Sequence, residues 1–305
     1  MKFGIVGVGG YIAPRHLKAI QECGGELVVA MDPVDSVGIL DRDFHDVEFF
    51  LNEKEFENYI TQNKIDYLTI CSPNYKHKEH ILMGLRAGAN IICEKPLVLE
   101  LADLEEIRQA EKASGKTVAT ILQLRVHPSI RALRDEVLAA DPGKKYQVDL
   151  SYITSRGPWF HKSWKGDVAK SGGLPTNIGV HFFDMLSWLF GDIQHSELHS
   201  GDAHVYAGYM EYERAEVRWF LSVDRKFLPE KAIKEGKPTF RSITLDGDEI
   251  EFSTGFTDLH TVVYQELLRG RSFGVEDVKV GISVVEELRK QTATGPCQKS
   301  HPFLK

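Results

Sequence analysis

The sequence predicts an α/β protein whose N-terminal domain carries a parallel sheet and whose C-terminal α+β domain carries a mostly antiparallel, open-faced sheet. Three observations lead there. Over the first 122 residues short β-rich runs alternate with amphipathic helical stretches, the pattern of parallel βαβ units. The first run passes directly into a glycine turn, Gly7-Val8-Gly9-Gly10. Beyond Leu122 the alternation gives way to longer strand-like segments. The domains are therefore set at 1–122 and 123–305, with no low-complexity segment and no internal repeat.

Strands are expected near Lys2–Val6, Leu27–Asp32, Glu48–Phe50, Asp66–Cys71, Asn90–Glu94 and Thr117–Leu122, with helices beginning near Ile12, Glu53, Lys76 and Leu101. Pro14 is compatible with the first helix if it lies in the opening turn, where its missing N–H has no partner to lose. Gly115 closes the last helix of this half. A helix around Ser129–Ala139 then leads to strands at Tyr146–Ser155, Tyr206–Tyr212, Glu216–Val223 and Arg241–Leu245. Helices at Asn177–Leu189, Asp258–Leu268 and Val275–Arg289 are expected to cover one face of that sheet.

Bulk properties narrow the function classes. The 305 residues suffice for two ordinary domains, and 42% hydrophobic with 27% charged content is that of a globular protein. No apolar run approaches the roughly 20 residues that cross a bilayer. The opening Met1–Val6 resembles a signal peptide only until glycines interrupt it, so a cytoplasmic protein without a membrane partner is expected. A net charge of −7 argues against a nucleic-acid partner. Cys23, Cys71, Cys93 and Cys297 show no zinc spacing, the histidines form no H-E-x-x-H pattern, and no metal is expected. Cys71 and Cys93 read as small buried hydrophobes.

The glycine turn sits where a Rossmann dinucleotide fingerprint requires it, between a strand and a helix. Gly7 permits the tight turn and Gly9 the approach of a pyrophosphate to the positive end of the helix, with Gly10, Tyr11 and Ile12 completing the turn. Ile12 departs from the usual Gly or Ala. Asp32 ends the second strand 25 residues after Gly7. A carboxylate there accepts from ribose hydroxyls and repels a 2′-phosphate, so the expected cofactor is NAD rather than NADP. Ser72, Asn74 and Glu94-Lys95-Pro96 end further strands at the same crevice. His77 and Gln123 complete the candidate cofactor set, and Lys95 places a cation where the nicotinamide is expected.

Asn177, His181 and Asp184 fall at i, i+4 and i+7 and would share one face of an α-helix. Oxidation of an alcohol needs a base for the hydroxyl proton, and His181 suits neutral pH. Lys95 would stabilise developing alkoxide character, with a proton relay through either group left open. Asp184 either orients His181 or caps a surface turn. Upstream, Arg156, Lys162, Trp164, Lys165 and Lys170 concentrate cations and aromatics in an acidic chain, which reads as a clamp for an anionic ligand.

The glycine turn, Glu94-Lys95-Pro96, Trp164-Lys165, Gly172-Gly173 and the Asn177/His181/Asp184 helix together resemble the Gfo/Idh/MocA oxidoreductases. Longer stretches are similar to the UDP-N-acetyl-2-amino-2-deoxy-D-glucuronate 3-dehydrogenase group: Gly10-Tyr11-Ile12-Ala13-Pro14-Arg15-His16, Cys71-Ser72-Pro73-Asn74-Tyr75, Tyr152-Ile153-Thr154-Ser155-Arg156-Gly157, Thr176-Asn177-Ile178-Gly179-Val180-His181 and Gly255-Phe256-Thr257-Asp258-Leu259-His260. The resemblance implies NAD-dependent oxidation of a sugar 3-hydroxyl to a ketone, on the route to diacetamido uronic acids of lipopolysaccharide O-antigen.

It further implies catalytic roles for Lys95 and His181, a nicotinamide contact at Trp164-Lys165, and a cis bond before Pro96. A UDP-linked uronic acid would give Arg156, Lys162 and Lys170 their anions, with Asn177, where many members carry Asp, among the substrate contacts. Assembly as a homotetramer through open sheet faces is implied too, and 2-oxoglutarate regenerates NAD in some members. The alternatives are a dehydrogenase of a free sugar or inositol, and a non-catalytic NAD-binding protein.

Overall fold

The structure, a computed structural model, describes residues 1–35, 37–250 and 258–304. Gly255-Phe256-Thr257 of the last stretch quoted above lies outside them. The chain forms two compact units, Met1–Gln123 with Thr257–Lys279, and Leu124–Phe256 with Val280–Lys305.

In the first unit, β1 (Lys2–Val6), β2 (Glu26–Met31), β3 (Glu48–Phe50), β4 (Tyr67–Ile70), β5 (Asn90–Cys93) and β6 (Val118–Thr120) form one parallel sheet in the order β3-β2-β1-β4-β5-β6. Its central strands are apolar runs because helices cover both faces: in β1 every residue after Lys2 is buried. Chain direction across the sheet reverses between β1 and β4, the switch point at which carboxyl ends of strands leave a ligand crevice. Pro14 lies in the first turn of helix Ala13–Glu22, and Gly115, at φ +66°, ends helix Asp103–Ser114.

One helix departs from the sequence reading. Residues 258–268 were assigned to the cover of the second sheet, but helix Leu259–Leu268 belongs to the first unit, against helix Ala13–Glu22. Polar contacts draw it there: the Tyr264 hydroxyl meets His16 Nδ1 at 2.9 Å, and Thr261 donates to Glu22 at 2.7 Å. The first unit is thus discontinuous in sequence, where the reading had two consecutive domains.

The second unit contains β7 (Tyr146–Thr154), β8 (Ile193–Gly201), β9 (Val205–Tyr212), β10 (Ala215–Ser222), β11 (Thr239–Leu245) and β12 (Asp248–Glu249) in the order β12-β11-β7-β10-β9-β8. Four pairings are antiparallel and β7–β10 is parallel. The strand β8 was not anticipated. Its sequence, rich in His, Ser, Gln and Glu, lacks the apolar alternation that marks a strand, and only pairing with β9 reveals it.

Helices Pro128–Ala139 and Val180–Phe190 and the later part of Val275–Lys290 supply one side of the core through Ile130, Leu133, Phe183, Leu186, Val285 and Leu288. The sheet answers with Tyr146, Val148, Leu150, Val217 and Trp219, whose ring stands edge-on to Phe183. On the other face Arg218 pairs twice with Asp149. An apolar patch of Ile153, Val205 and Phe220 is packed by Phe240, Phe303 and Leu304. His301 reaches the same face, with Nε2 3.0 Å from Ser151 Oγ. The face read as open is therefore covered in part by the chain's own last residues.

Beneath the helices, Arg125 donates to both carboxylate oxygens of Asp184, at 2.9 and 2.7 Å, with both side chains almost wholly buried. Asp184 is thus an interior ion-pair partner and no surface cap. Asp184→Ala strands a buried guanidinium and is expected to lower the unfolding free energy by about 3–5 kcal/mol in urea titrations. Burial pushes the His301 imidazole from 6.5 down to about 4. The unfolded chain then takes up this proton first as pH falls, so the stability tied to His301 is complete above 6.5 and lost toward 4. His301→Gln is expected to flatten the fall of unfolding free energy across that window.

Candidate active site

The glycine turn is fixed by sterics. Gly7 has φ +82°, and a Cβ there would lie 2.6 Å from the Ser72 nitrogen and 2.7 Å from the Cys71 carbonyl carbon, so only glycine fits between the ends of β1 and β4. Asp32 closes the turn from β2: its carboxylate accepts from Gly9 N–H and Val34 N–H, both at 3.0 Å. Each oxygen keeps a further lone pair for a ribose hydroxyl. Ile12 precedes helix Ala13–Glu22, whose first turn has no side-chain cap, and Tyr11 is exposed. Gln123 Oε1 is buried without a hydrogen-bond partner among the described residues.

Glu94 ends β5 in the middle of a buried polar network. Its Oε1 accepts from His16 Nε2 at 3.0 Å and His260 Nε2 at 2.9 Å, and its Oε2 accepts from Lys95 N–H at 3.2 Å. Burial alone would raise its pKa, but the two imidazole hydrogen bonds outweigh that and hold the carboxyl well below its usual range. Burial pushes the His16 imidazole down, against the carboxylate of Glu94, which raises it. The network continues through the Tyr264 hydroxyl, which lies 2.9 Å from His16 Nδ1 and 3.0 Å from Thr69 Oγ1.

Lys95 follows directly, half-buried, before a cis bond to Pro96. Three further candidates are engaged by the protein itself. Ser72 Oγ lies 2.8 Å from His80 Nδ1. The buried Glu94 carboxylate is held as described, and buried His77 faces two carbonyl oxygens, Pro96 at 2.7 Å and Ser72 at 2.9 Å. The imidazole of His77 thus lies between the ends of β4 and β5. Asn74 is buried in the short turn after β4.

In the second unit His181 lies in the first turn of helix Val180–Phe190, a helix buried on nearly every side. Asn177 is not on the same α-helical register: Pro175–Gly179 forms a π-helical turn that leads into the helix. The i, i+4, i+7 face assumed a continuous α-helix, and the wider turn alters where Asn177 projects. Both side chains are half-buried.

The basic loop is well built. Ser163 accepts from Lys165 N–H at 3.3 Å and seats the turn Trp164–Gly166, in which the Lys165 ammonium lies 4.5 Å from the Trp164 ring centre. Burial, with the charge of Arg156 second, lowers the Lys165 pKa. Arg156 and Lys162 are exposed, and Lys170 is exposed with Asp167 3.7 Å from its ammonium. The sequence reading missed His16, His260 and Tyr264, although two of them stood in the quoted stretches. Two histidines 244 positions apart carry no local signal of converging on one carboxylate.

The family description "Oxidoreductase family, NAD-binding Rossmann fold" matches residues 1–121, and its C-terminal alpha/beta domain matches residues 143–226. The chain belongs to the Gfo/Idh/MocA family. Among solved Gfo/Idh/MocA-like structures, it is 48% identical to the WlbA (WbpB) dehydrogenase from Thermus thermophilus, over 100% of both chains. The TM-score is 0.96 for that enzyme's complex with NAD and alpha-ketoglutarate, and 0.95 for its complex with NAD and UDP-GlcNAcA. The inositol 2-dehydrogenase of Rhizobium meliloti (strain 1021) is 29% identical over 63% of this chain. The 1,5-anhydro-D-fructose reductase of Ensifer adhaerens is 24% identical over the same share. The chain spans a third to just over half of the curated relatives it matches, 33% to 57% among the first two.

The residues fit the NAD that the family's Rossmann domain binds. A turn whose Gly7 leaves no room for a Cβ and a helix start without a side-chain cap suit a pyrophosphate, and Gln123 Oε1 is buried without a hydrogen-bond partner among the described residues. For the network under Lys95, Glu94→Gln turns an acceptor oxygen into a donor that faces an N–H. Chemical denaturation is expected to show a loss of about 1.5–3 kcal/mol.

Proposed function

We propose that this protein oxidises the sugar 3-hydroxyl of UDP-N-acetyl-2-amino-2-deoxy-D-glucuronate to the 3-keto sugar, with NAD as oxidant. The observation that carries the reading is full-length similarity, at 48% identity, to a dehydrogenase crystallised with NAD and with UDP-GlcNAcA. The local chemistry agrees. A UDP-linked uronic acid presents a diphosphate and a carboxylate, and the loop of Arg156, Lys162 and Lys170 offers cations to an anion in a chain of net charge −7.

When bound, NAD supplies the hydride acceptor. The family resemblance gives His181 the role of base for the hydroxyl proton and Lys95 that of a cation for developing alkoxide charge. The network below Glu94 fixes the backbone of Lys95 through the 3.2 Å bond to its N–H. Asn177 would hold the sugar, and the resemblance assigns Trp164 and Lys165 to the nicotinamide. Asp32, Gly7, Gly9, Gly10, Tyr11, Ile12, Ser72, Asn74 and Gln123 form the cofactor cradle.

2-Oxoglutarate would serve as the acceptor that regenerates NAD, a role suggested by the alpha-ketoglutarate in the Thermus thermophilus complex. A cytoplasmic homotetramer serving O-antigen synthesis is the setting proposed. Among the described residues no helix is long and apolar enough to cross a membrane.

Nicotinamide reduction, followed with NAD and a panel of UDP-sugars, free sugars and inositols, tests the assignment with 2-oxoglutarate present and omitted. Reduction is expected with the UDP-uronic acid; response only to free sugars or inositol would replace the substrate, and none with any would remove the activity. His181→Asn is expected to lower turnover about 10²–10⁴-fold while leaving NAD affinity unchanged. A near-normal rate would exclude it as the base.

A further inference from the structure

We propose that Glu197, His199 and Cys297 bind a divalent transition-metal ion, zinc by the chemistry of the set, and thereby tie the C-terminal segment to the edge strand β8. The proposal stands apart from the dehydrogenase reading. One carboxylate oxygen, one imidazole nitrogen and one sulfur lie within 4.8 Å of one another. His199 Nε2 is 3.2 Å from Glu197 Oε2 and 3.4 Å from Cys297 Sγ. With zinc bonds of roughly 2.0 Å to nitrogen and oxygen and 2.3 Å to sulfur, the edges of a tetrahedron are about 3.3 and 3.6 Å. The two edges at His199 match those spacings to within about 0.2 Å, and the third, from Glu197 to Cys297, lies within 4.8 Å.

The outer atoms of the ligands are held as metal ligands require. His199 Nδ1 lies 3.0 Å from Ser300 Oγ, and that same oxygen accepts from Cys297 N–H at 2.8 Å. The other oxygen of Glu197 is engaged by His195 at 2.8 Å and by the Lys299 ammonium at 3.8 Å, which turns Oε2 toward His199. Glu197 and His199 are two residues apart on one strand, and Cys297 arrives from the segment that continues to Ser300 and His301. A thiolate and a carboxylate balance the two charges of zinc, and water completes the four-coordinate shell.

The buried set of His16, Glu94 and His260 differs. Both imidazoles there point at a single oxygen at 2.9 and 3.0 Å, and protons alone satisfy it.

The test uses the full chain stripped with a chelator and titrated with Co(II) and Zn(II). One Co(II) per chain with thiolate-to-cobalt charge-transfer absorption, displaced by Zn(II), is expected. Cys297→Ser, a change at an exposed residue, abolishes that absorption and weakens Zn(II) by about 100-fold or more, and His199→Gln does the same. Ser300→Ala weakens it by about 10–100-fold. Cys23→Ser leaves binding unchanged. Zn(II) also slows tryptic cleavage after Lys299, while dehydrogenase turnover of Cys297→Ser equals that of the parent. Absence of the charge-transfer absorption, or Zn(II) affinity equal in the parent and Cys297→Ser, overturns the site whatever the protein oxidises.

Discussion

A carboxylate cannot be taken out of water without donors to replace the water, and Glu94 at the end of β5 is almost completely buried. The donors that meet it come from three places in the chain: His16 on the first helix, the backbone of Lys95 beside it, and His260 more than 160 positions later. One of these donors reaches Glu94 only because the first unit is discontinuous in sequence. The return of helix Leu259–Leu268 to the first helix supplies one of the imidazoles, and with Tyr264 it supplies the hydroxyl that meets the other. The Lys95 backbone is tied to this network through its N–H bond to Glu94.

Much of the first unit was legible because its strands and helices satisfy local rules. Buried parallel strands read as apolar runs, Pro14 and Gly115 punctuate helices where their backbones cost least, and Gly7 stands where no side chain fits. The residues singled out at strand ends do lie there, and Ser72, His77 and Glu94 also bond groups of the protein. Sequence spacing reports which residues reach a crevice and says nothing of who else bonds them. Asn177 was misplaced for a related reason. A π-helical turn obeys a different hydrogen-bond count, and Gly172 to Gly179 contains no residue that announces it.

The second unit was less legible because its elements draw their identity from long-range partners. Neither the parallel pairing of β7 with β10 nor the helix that leaves for the first unit has a local signature. The basic loop was found from composition, and its internal order explains why a cation persists there. Lys165 is seated by Ser163 and stacked on Trp164, so the cost of partly burying its ammonium is met by a hydrogen-bonded turn and an aromatic face.

The strand that periodicity hid, β8, is also the strand richest in ligand-type side chains. The two facts have one cause. At the edge of a sheet, polar and charged residues discourage pairing with another chain, so apolar alternation is not required there. The two-residue repeat of a strand nevertheless sends every second side chain to the same face. Along β8 His195, Glu197 and His199 meet, His199 at a register shift between Leu198 and Ser200, and the segment bearing Cys297, Lys299 and Ser300 lies against them. A segment that fails the test for a strand because its side chains are polar can thus be the one whose strand geometry does the most chemistry.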